Sequence, residues 1–158
     1  MLKIATLLVT SCLALLEPAL TACGPTKRVV VWRQPAQTYV MNLPPGYRPL
    51  LASGGEAEQE REFVYPDSSA IYVTDFAGGS ALNYANIQRL GPAVVAQRFA
   101  GTLPGMAPPP APLVLQGTTP TGRCWKDLRL GKLSIGYTNV PTARQACFDQ
   151  VLASFLRK

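Results

Sequence analysis

Carboxylates are the main groups in this sequence that could perform acid–base chemistry, because the chain contains no histidine. Histidine is the usual general base and metal ligand near neutral pH. Four glutamates alternate along one short segment, at Glu56, Glu58, Glu60 and Glu62. Two acids facing each other across a cleft would suit glycan hydrolysis, whereas acids in a polar loop are normally solvated. A histidine-independent hydrolase that uses carboxylates is therefore one hypothesis for this chain.

The motifs of common enzymes are absent from the sequence. It contains no nucleophile-elbow serine motif, no phosphate-binding glycine loop, no dinucleotide fingerprint and no metal-ligand spacing. We therefore expect a non-enzymatic protein that has no cofactor and no metal site.

A tryptophan near the C-terminus is the best sequence candidate for an interaction surface. In the strand predicted around it, Trp125, Asp127 and Arg129 share the face opposite the C-terminal helix, with Arg123 nearby. An exposed tryptophan among arginines is a common composition of protein interfaces. Trp125, Arg123 and Arg129 therefore form the candidate surface. The alternative is that a second layer of sheet or loop covers Trp125.

The N-terminus has the organisation of an export signal. Lys3 supplies a positive charge, and residues 4–16 form a largely apolar stretch of 13 residues. That length suits the apolar region of a signal peptide and is too short for a lasting membrane span. Leu20-Thr21-Ala22-Cys23 follows, with a small residue directly before the cysteine.

This tetrapeptide resembles the lipobox of bacterial lipoprotein precursors. The resemblance implies that residues 1–22 are removed and that Cys23 carries a diacylglyceryl thioether and usually an N-acyl chain such as palmitate. Two or three chains would hold residues 23–28, a short tether, at the membrane. Gly24 stands where an inner-membrane retention signal has Asp, which implies the outer membrane facing the periplasm. Glu17 and Pro18 depart from the family pattern, and an ordinary secretory signal without lipidation is the alternative.

The remaining cysteines then suggest one disulfide. Cys12 leaves with the signal and the lipid occupies Cys23, so Cys124 and Cys147 remain as a pair in an oxidising compartment. We predict that they bond to each other.

The charge distribution suggests possible partners. The formal net charge is +6, and the segment from Arg89 to Lys158 holds nine basic residues but only the acids Asp127 and Asp149. A basic half favours an anionic lipid or polysaccharide, or is simply a solvated surface. Besides the membrane, an unidentified envelope protein or anionic polymer is the expected partner, and nucleic acid is not.

The C-terminal third gives the clearest fold prediction. Gly131-Lys132 is a candidate two-residue turn that sets Leu130 opposite Leu133, Leu128 opposite Ile135 and Cys124 opposite Asn139. A helix should follow, opened by a capping box of Thr142 and Gln145. The apolar stripe that should cover the hairpin consists of Phe148, Val151, Leu152 and Phe155. The helix should end at Arg157 and Lys158, where the helix dipole favours cations.

Shorter apolar runs predict further strands at 29–32, 38–43, 62–65, 70–74 and 113–115. In the strand at 70–74, Tyr72 and Thr74 should share a half-exposed face. The predicted class is α+β, an antiparallel sheet of four to six strands with the C-terminal helix packed on one face; a mostly β sandwich is the alternative. Residues 29–158 should form one globular domain, with a proline-rich loop at 102–112. The expected role is a membrane-anchored, non-enzymatic interaction or structural module of the cell envelope.

Overall fold

The fold is known from a computed structural model that describes residues 23–34, 36–51, 60–74, 112–131 and 133–158. The predicted signal peptide, Glu56, Glu58 and all of the proline-rich loop except Pro112 lie outside these ranges. Within them, strands and one α-helix follow each other in this order: β1 Lys27–Gln34, β2 Gln37–Leu43, β3 Arg48–Leu51, β4 Glu60–Val64, β5 Ala70–Thr74, β6 Leu113–Thr118, β7 Cys124–Leu130, β8 Leu133–Val140, α1 Gln145–Ala153 and β9 Leu156–Arg157.

The described strands form two antiparallel sheets. The large sheet has six strands in the order β3-β4-β5-β8-β7-β6, and the small sheet has three in the order β1-β2-β9. Helix α1 contacts β8 of the large sheet and β2 of the small one. The predicted α+β class with antiparallel strands is thus confirmed in its coarse form, and the two sheets give it a sandwich-like arrangement.

One apolar core joins the helix to the inner faces of both sheets. Met41 of β2, Ile135 of β8 and Phe148 of α1 belong to this core and are almost fully buried. The apolar stripe predicted for the helix is confirmed for Phe148, Val151 and Leu152. Alternation along β2 and β8 supplies the inner faces, since every second side chain points the same way.

The β7–β8 hairpin confirms most of the predicted register. Leu130 pairs with Leu133, and Leu128 pairs with Ile135. Gly131 begins the turn with a φ of 66°, a conformation that glycine adopts without steric cost. At the open end the prediction was wrong: a bulge between Cys124 and Lys126 shifts the ladder, and Cys124 pairs with Val140 instead of Asn139.

The helix begins and ends differently from the prediction. A 3-10 turn, Thr142–Arg144, precedes α1, and no side chain caps the helix. The Thr142 hydroxyl donates instead to the Gly122 carbonyl, at 3.3 Å. The predicted capping box is therefore wrong, because the hydroxyl is used to tie the helix start to the loop before β7.

The last residues form a strand instead of a helix end. Strand β9 pairs with β2, and the Lys158 amide donates to the Thr38 carbonyl at 2.7 Å. This pairing satisfies the backbone of β2 on its second edge. Phe155 lies beyond the helix and stacks on Tyr39, with ring centroids 5.3 Å apart. Arg157 and Lys158 therefore do not cap the helix dipole.

Candidate functional site

Cys23 is fixed to the folded domain at its first described residue. Its Sγ forms a disulfide with Cys147 of α1, with the two Cα atoms 4.9 Å apart. The half-buried side chain packs against the apolar core, and β1 begins four residues later at Lys27. Cys23 thus lies where the N-terminal segment meets both the helix and the small sheet.

The predicted Cys124–Cys147 disulfide is wrong in this structure, where Cys124 is a buried free thiol. The helix start does reach Cys124, as expected: Cys124 Sγ lies 3.3 Å from Gln145 Oε1. Cys147 comes two residues later, about 200° further around the helix at 3.6 residues per turn. Its sulfur therefore points away from Cys124 and towards the N-terminal segment.

The predicted interaction surface at Trp125 is not exposed. Trp125 is only 3 % exposed and Arg129 only 5 %. Arg123 is half-buried and donates to the Asn139 carbonyl at 3.4 Å. The alternation was nevertheless predicted correctly, because Cys124 and Leu128 pack in the apolar core and Trp125 does not. Trp125 pairs with Gly117 of β6, and its ring lies over that glycine. A Cβ on Gly117 would stand 3.0 Å from the Trp125 ring.

Trp125 belongs to a buried polar face on the outer side of the large sheet. Tyr72 and Asp127 also lie there, both 0 % exposed, and the Tyr72 hydroxyl donates to Asp127 Oδ1 at 2.5 Å. They reach each other across Gly136 of β8, which pairs with both residues. A Cβ at Gly136 would collide with the Tyr72 hydroxyl and with the Lys126 carbonyl. The absent side chain therefore makes this contact possible.

A second row of polar residues runs beside the first. Thr74, Ser134 and Arg129 pair in register across β5, β8 and β7, and all three are buried. The half-exposure predicted for Tyr72 and Thr74 is wrong, because the outer face of the large sheet is covered as well as its inner face. A buried polar face of this kind is either a specific structural network or a ligand site.

The two described glutamates lie on the same outer face, at the β4 end of these rows. Glu60 pairs with Thr74, and Glu62 pairs with Tyr72. Burial raises the pKa of Glu60 to about 7, and the neighbouring Glu62 adds to the rise. A carboxyl group of this kind can release and take up a proton near neutral pH. Of the acids singled out in the sequence that lie in the described ranges, Glu60 and Glu62 are brought together on one face.

Two other aspartates hold the helix in place. Asp149 accepts from Lys126 at 2.8 Å and from the Tyr137 hydroxyl at 3.2 Å. Burial, together with the Asp149 carboxylate, raises the pKa of Tyr137. These contacts join α1 to β7 and β8, so Asp149 has a structural role.

Asp67 acts in the same way at the start of the helix. It accepts from Arg144 at 2.6 Å, and the guanidinium of Arg144 lies 5.3 Å from the Tyr65 ring centroid and 5.0 Å from that of Phe148. The Ser69 amide and hydroxyl also donate to Asp67, at 3.1 and 2.6 Å. This cluster ties the β4–β5 turn to the helix.

Among the described residues, the exposed cations lie mostly on the small sheet and not throughout the C-terminal half that the charge distribution of the sequence indicated. None of the three strands of this sheet contains an acid. Its exposed cations, including the residue that follows β9, are Lys27, Arg28, Arg33, Arg157 and Lys158. Sequence reasoning missed this surface because its strands come from opposite ends of the chain. The one available signal was the lack of any acid between Cys23 and Glu56.

The described residues contain no cluster of acids or cysteines with the arrangement of a metal site. None of the helices in the described ranges is long and apolar enough to span a bilayer. No family model, curated protein or solved structure matches this chain.

Proposed function

We propose that this chain is exported to a bacterial cell envelope, anchored there through lipid on Cys23, and acts as a non-enzymatic interaction module. The lipobox at residues 20–23 carries the proposal. Its support from the fold is the position of Cys23: only three residues separate it from β1, so a lipid on this cysteine would hold the small sheet close to the membrane.

The Cys23 sulfur cannot carry both a lipid thioether and the disulfide to Cys147. The two cysteines are 124 residues apart, and synthesis of that length takes roughly 6–25 s at ordinary rates. Cys23 is therefore available to an acylating enzyme before Cys147 exists. We therefore propose that the Cys23 sulfur is acylated first and that Cys147 then stays a thiol. The Cys23–Cys147 disulfide forms in chains that escape acylation.

The contacts of the aspartates support a non-enzymatic role. Asp67 binds Arg144, Asp149 binds Lys126, and Asp127 accepts from Tyr72. Each carboxylate is held by a neighbouring strand or helix, as expected of groups that stabilise a fold.

The anchor is tested by expressing the full chain in bacteria as wild type, Cys23→Ser and the matched control Cys147→Ser. Intact mass and membrane fractionation are measured for each. Wild type and Cys147→Ser should show acyl mass on the Cys23 peptide and stay with the membrane, whereas Cys23→Ser should show neither. If the Cys23 peptide of wild-type envelope protein carries no acyl mass and is recovered only as the disulfide with Cys147, the anchor is rejected and the secretory alternative is favoured.

A carboxylate hydrolase is the second candidate, and Glu60 is the observation that favours it. Its pKa of about 7, beside Glu62 on the same face, is that of a proton donor at neutral pH. The test is the release of reducing ends from purified envelope glycans by wild type and Glu60→Gln, with Glu62→Gln alongside. Turnover by the wild type that Glu60→Gln abolishes would establish the enzyme and reject the non-enzymatic role.

A further inference from the structure

The small sheet presents a face on which positive charge and aliphatic side chains lie in register. Val30 of β1, Val40 of β2 and Leu156 of β9 pair across the three strands and form one row. Paired residues of neighbouring strands point to the same side of a sheet. Met41 and Leu43, which alternate with Val40 along β2, belong to the apolar core, so the row lies on the opposite face of the sheet. Val40 itself is only 4 % exposed and Val30 is half-buried, so Leu156 is the exposed member of the row.

Cations flank the aliphatic row on both sides. Arg28 pairs with Asn42 on one side, and Arg33 pairs with Thr38 on the other. Lys158 joins the second row, because its amide binds the Thr38 carbonyl. Arg28, Arg33 and Lys158 are all exposed, as is Leu156, at 54 %. At the β1 edge, Glu62 and Arg61 line a cleft with Val30.

We propose that this outer face of the small sheet, defined by the exposed side chains of Arg28, Arg33, Lys158 and Leu156, binds the surface of an anionic phospholipid bilayer. An exposed leucine among cations suits a lipid interface, where headgroups meet the cations and the apolar side chain meets the acyl boundary. A soluble polyanion would satisfy the cations but leave Leu156 in water.

The position of Cys23 favours the same partner, and this step rests on the proposed lipid anchor. Arg28 follows Cys23 by five positions, so the chain between their Cα atoms spans at most about 17 Å. Cys23 and Asn42, the partner of Arg28, line one cavity at this end of the sheet. A lipid on Cys23 would thus bring the cationic face to within a few Debye lengths of the headgroups, where attraction becomes effective.

The test measures the distribution of the full-length exported protein between phosphatidylglycerol-containing and pure phosphatidylcholine vesicles that are present together. Acyl chains partition into both populations, so their contribution cancels, and the ratio reports the cationic face. The variant is Arg28→Gln/Arg33→Gln/Lys158→Gln. The matched control is Arg48→Gln/Arg61→Gln/Arg123→Gln, which removes the same net charge from the large sheet and its flanks.

Each cation near an anionic surface contributes about fivefold to binding. The triple variant should therefore lower the ratio of phosphatidylglycerol to phosphatidylcholine binding by up to roughly 100-fold, and the control by less than about fivefold. Equal losses in both variants, or no loss in the first, would overturn the proposal. So would tight binding of dextran sulfate by a wild type that shows no preference between vesicles.

This outcome is separable from the anchor itself. Binding to phosphatidylcholine vesicles alone reports acylation, because a neutral surface gives the cations little to attract. An unacylated protein that still prefers phosphatidylglycerol would reject the anchor and keep the cationic face.

Discussion

Replacing Phe148 with alanine should remove the largest single contribution that helix α1 makes to stability. Phe148 is fully buried, and its ring meets those of Tyr65 and Tyr137 edge-on, with centroids 5.5 and 5.7 Å away. Truncating a buried phenylalanine costs about 3–5 kcal/mol. The surrounding rings belong to the β-sheet and the turn before β5, which cannot readily collapse into the space, so the upper half of that range is expected.

Arg144→Ala should have an intermediate effect. The guanidinium lies over the Tyr65 and Phe148 rings and binds Asp67. The cation–π contact contributes about 0.5–1 kcal/mol at such a site. The ion pair adds at most about 1 kcal/mol, because both partners are about one-third exposed. The expected total is about 0.5–2 kcal/mol.

Urea titration followed by circular dichroism measures both effects, with exposed Gln150→Ala on the same helix as the control. The control should change the free energy of unfolding by less than about 0.5 kcal/mol. The expected order is Phe148→Ala, then Arg144→Ala, then the control. If Phe148→Ala lies within about 1 kcal/mol of Gln150→Ala at an unchanged urea dependence, helix α1 does not dock on the large sheet as described.

Three further changes probe other parts of the fold. Because the pKa of Glu60 is raised, the contribution of this carboxyl to stability is complete below its usual pKa of 4.5 and is lost as the pH rises through about 7. Glu60→Gln should abolish this loss in urea titrations between pH 4 and 8. An unchanged pH profile would contradict the burial of the carboxyl. Desolvation acts to raise the pKa of Asp67, but hydrogen bonds from Ser69 and Arg144 outweigh it and lower the pKa. The free energy of unfolding should therefore fall in acid as Asp67 protonates, and Asp67→Asn should reduce this fall. Gly136→Ala should lower the free energy of unfolding by about 3 kcal/mol or more in thermal unfolding, since a Cβ there meets the Lys126 carbonyl as well as Tyr72. The control is Thr138→Ser, at a half-buried position of the same strand, with an expected cost below about 1 kcal/mol. An equally small cost for Gly136→Ala would show that β7 and β8 move apart easily to admit the methyl group.

Local patterns predicted those parts of the fold that depend on neighbours in sequence. The β7–β8 register followed from alternation and a glycine turn, and the apolar stripe of α1 followed from its helical period. Strands β1, β2, β4, β5 and β6 also lie where short apolar runs placed them. These signals are strong because each element's own residues determine which of its faces is buried.

The missed features depend on residues far apart in sequence. The bulge at Cys124 and the rotation of α1 decide which cysteine meets Cys147, and neither leaves a local signal. Strand β9 forms because β2 offers an open edge, although its two residues could equally have continued the helix. The burial of Trp125 and Arg129 likewise depends on what covers the outer face of the large sheet, which alternation cannot reveal.

The two glycines under aromatic rings make different demands on related sequences. At Gly117, the three atoms nearest to a Cβ all belong to the Trp125 side chain. A smaller residue at 125 would open space for alanine at 117, so these two positions should vary together. At Gly136, the Lys126 carbonyl blocks a side chain whatever occupies position 72. Gly136 should therefore persist through evolution even where Tyr72 is replaced. Gly117 is constrained by a neighbouring side chain, whereas Gly136 is constrained by the backbone.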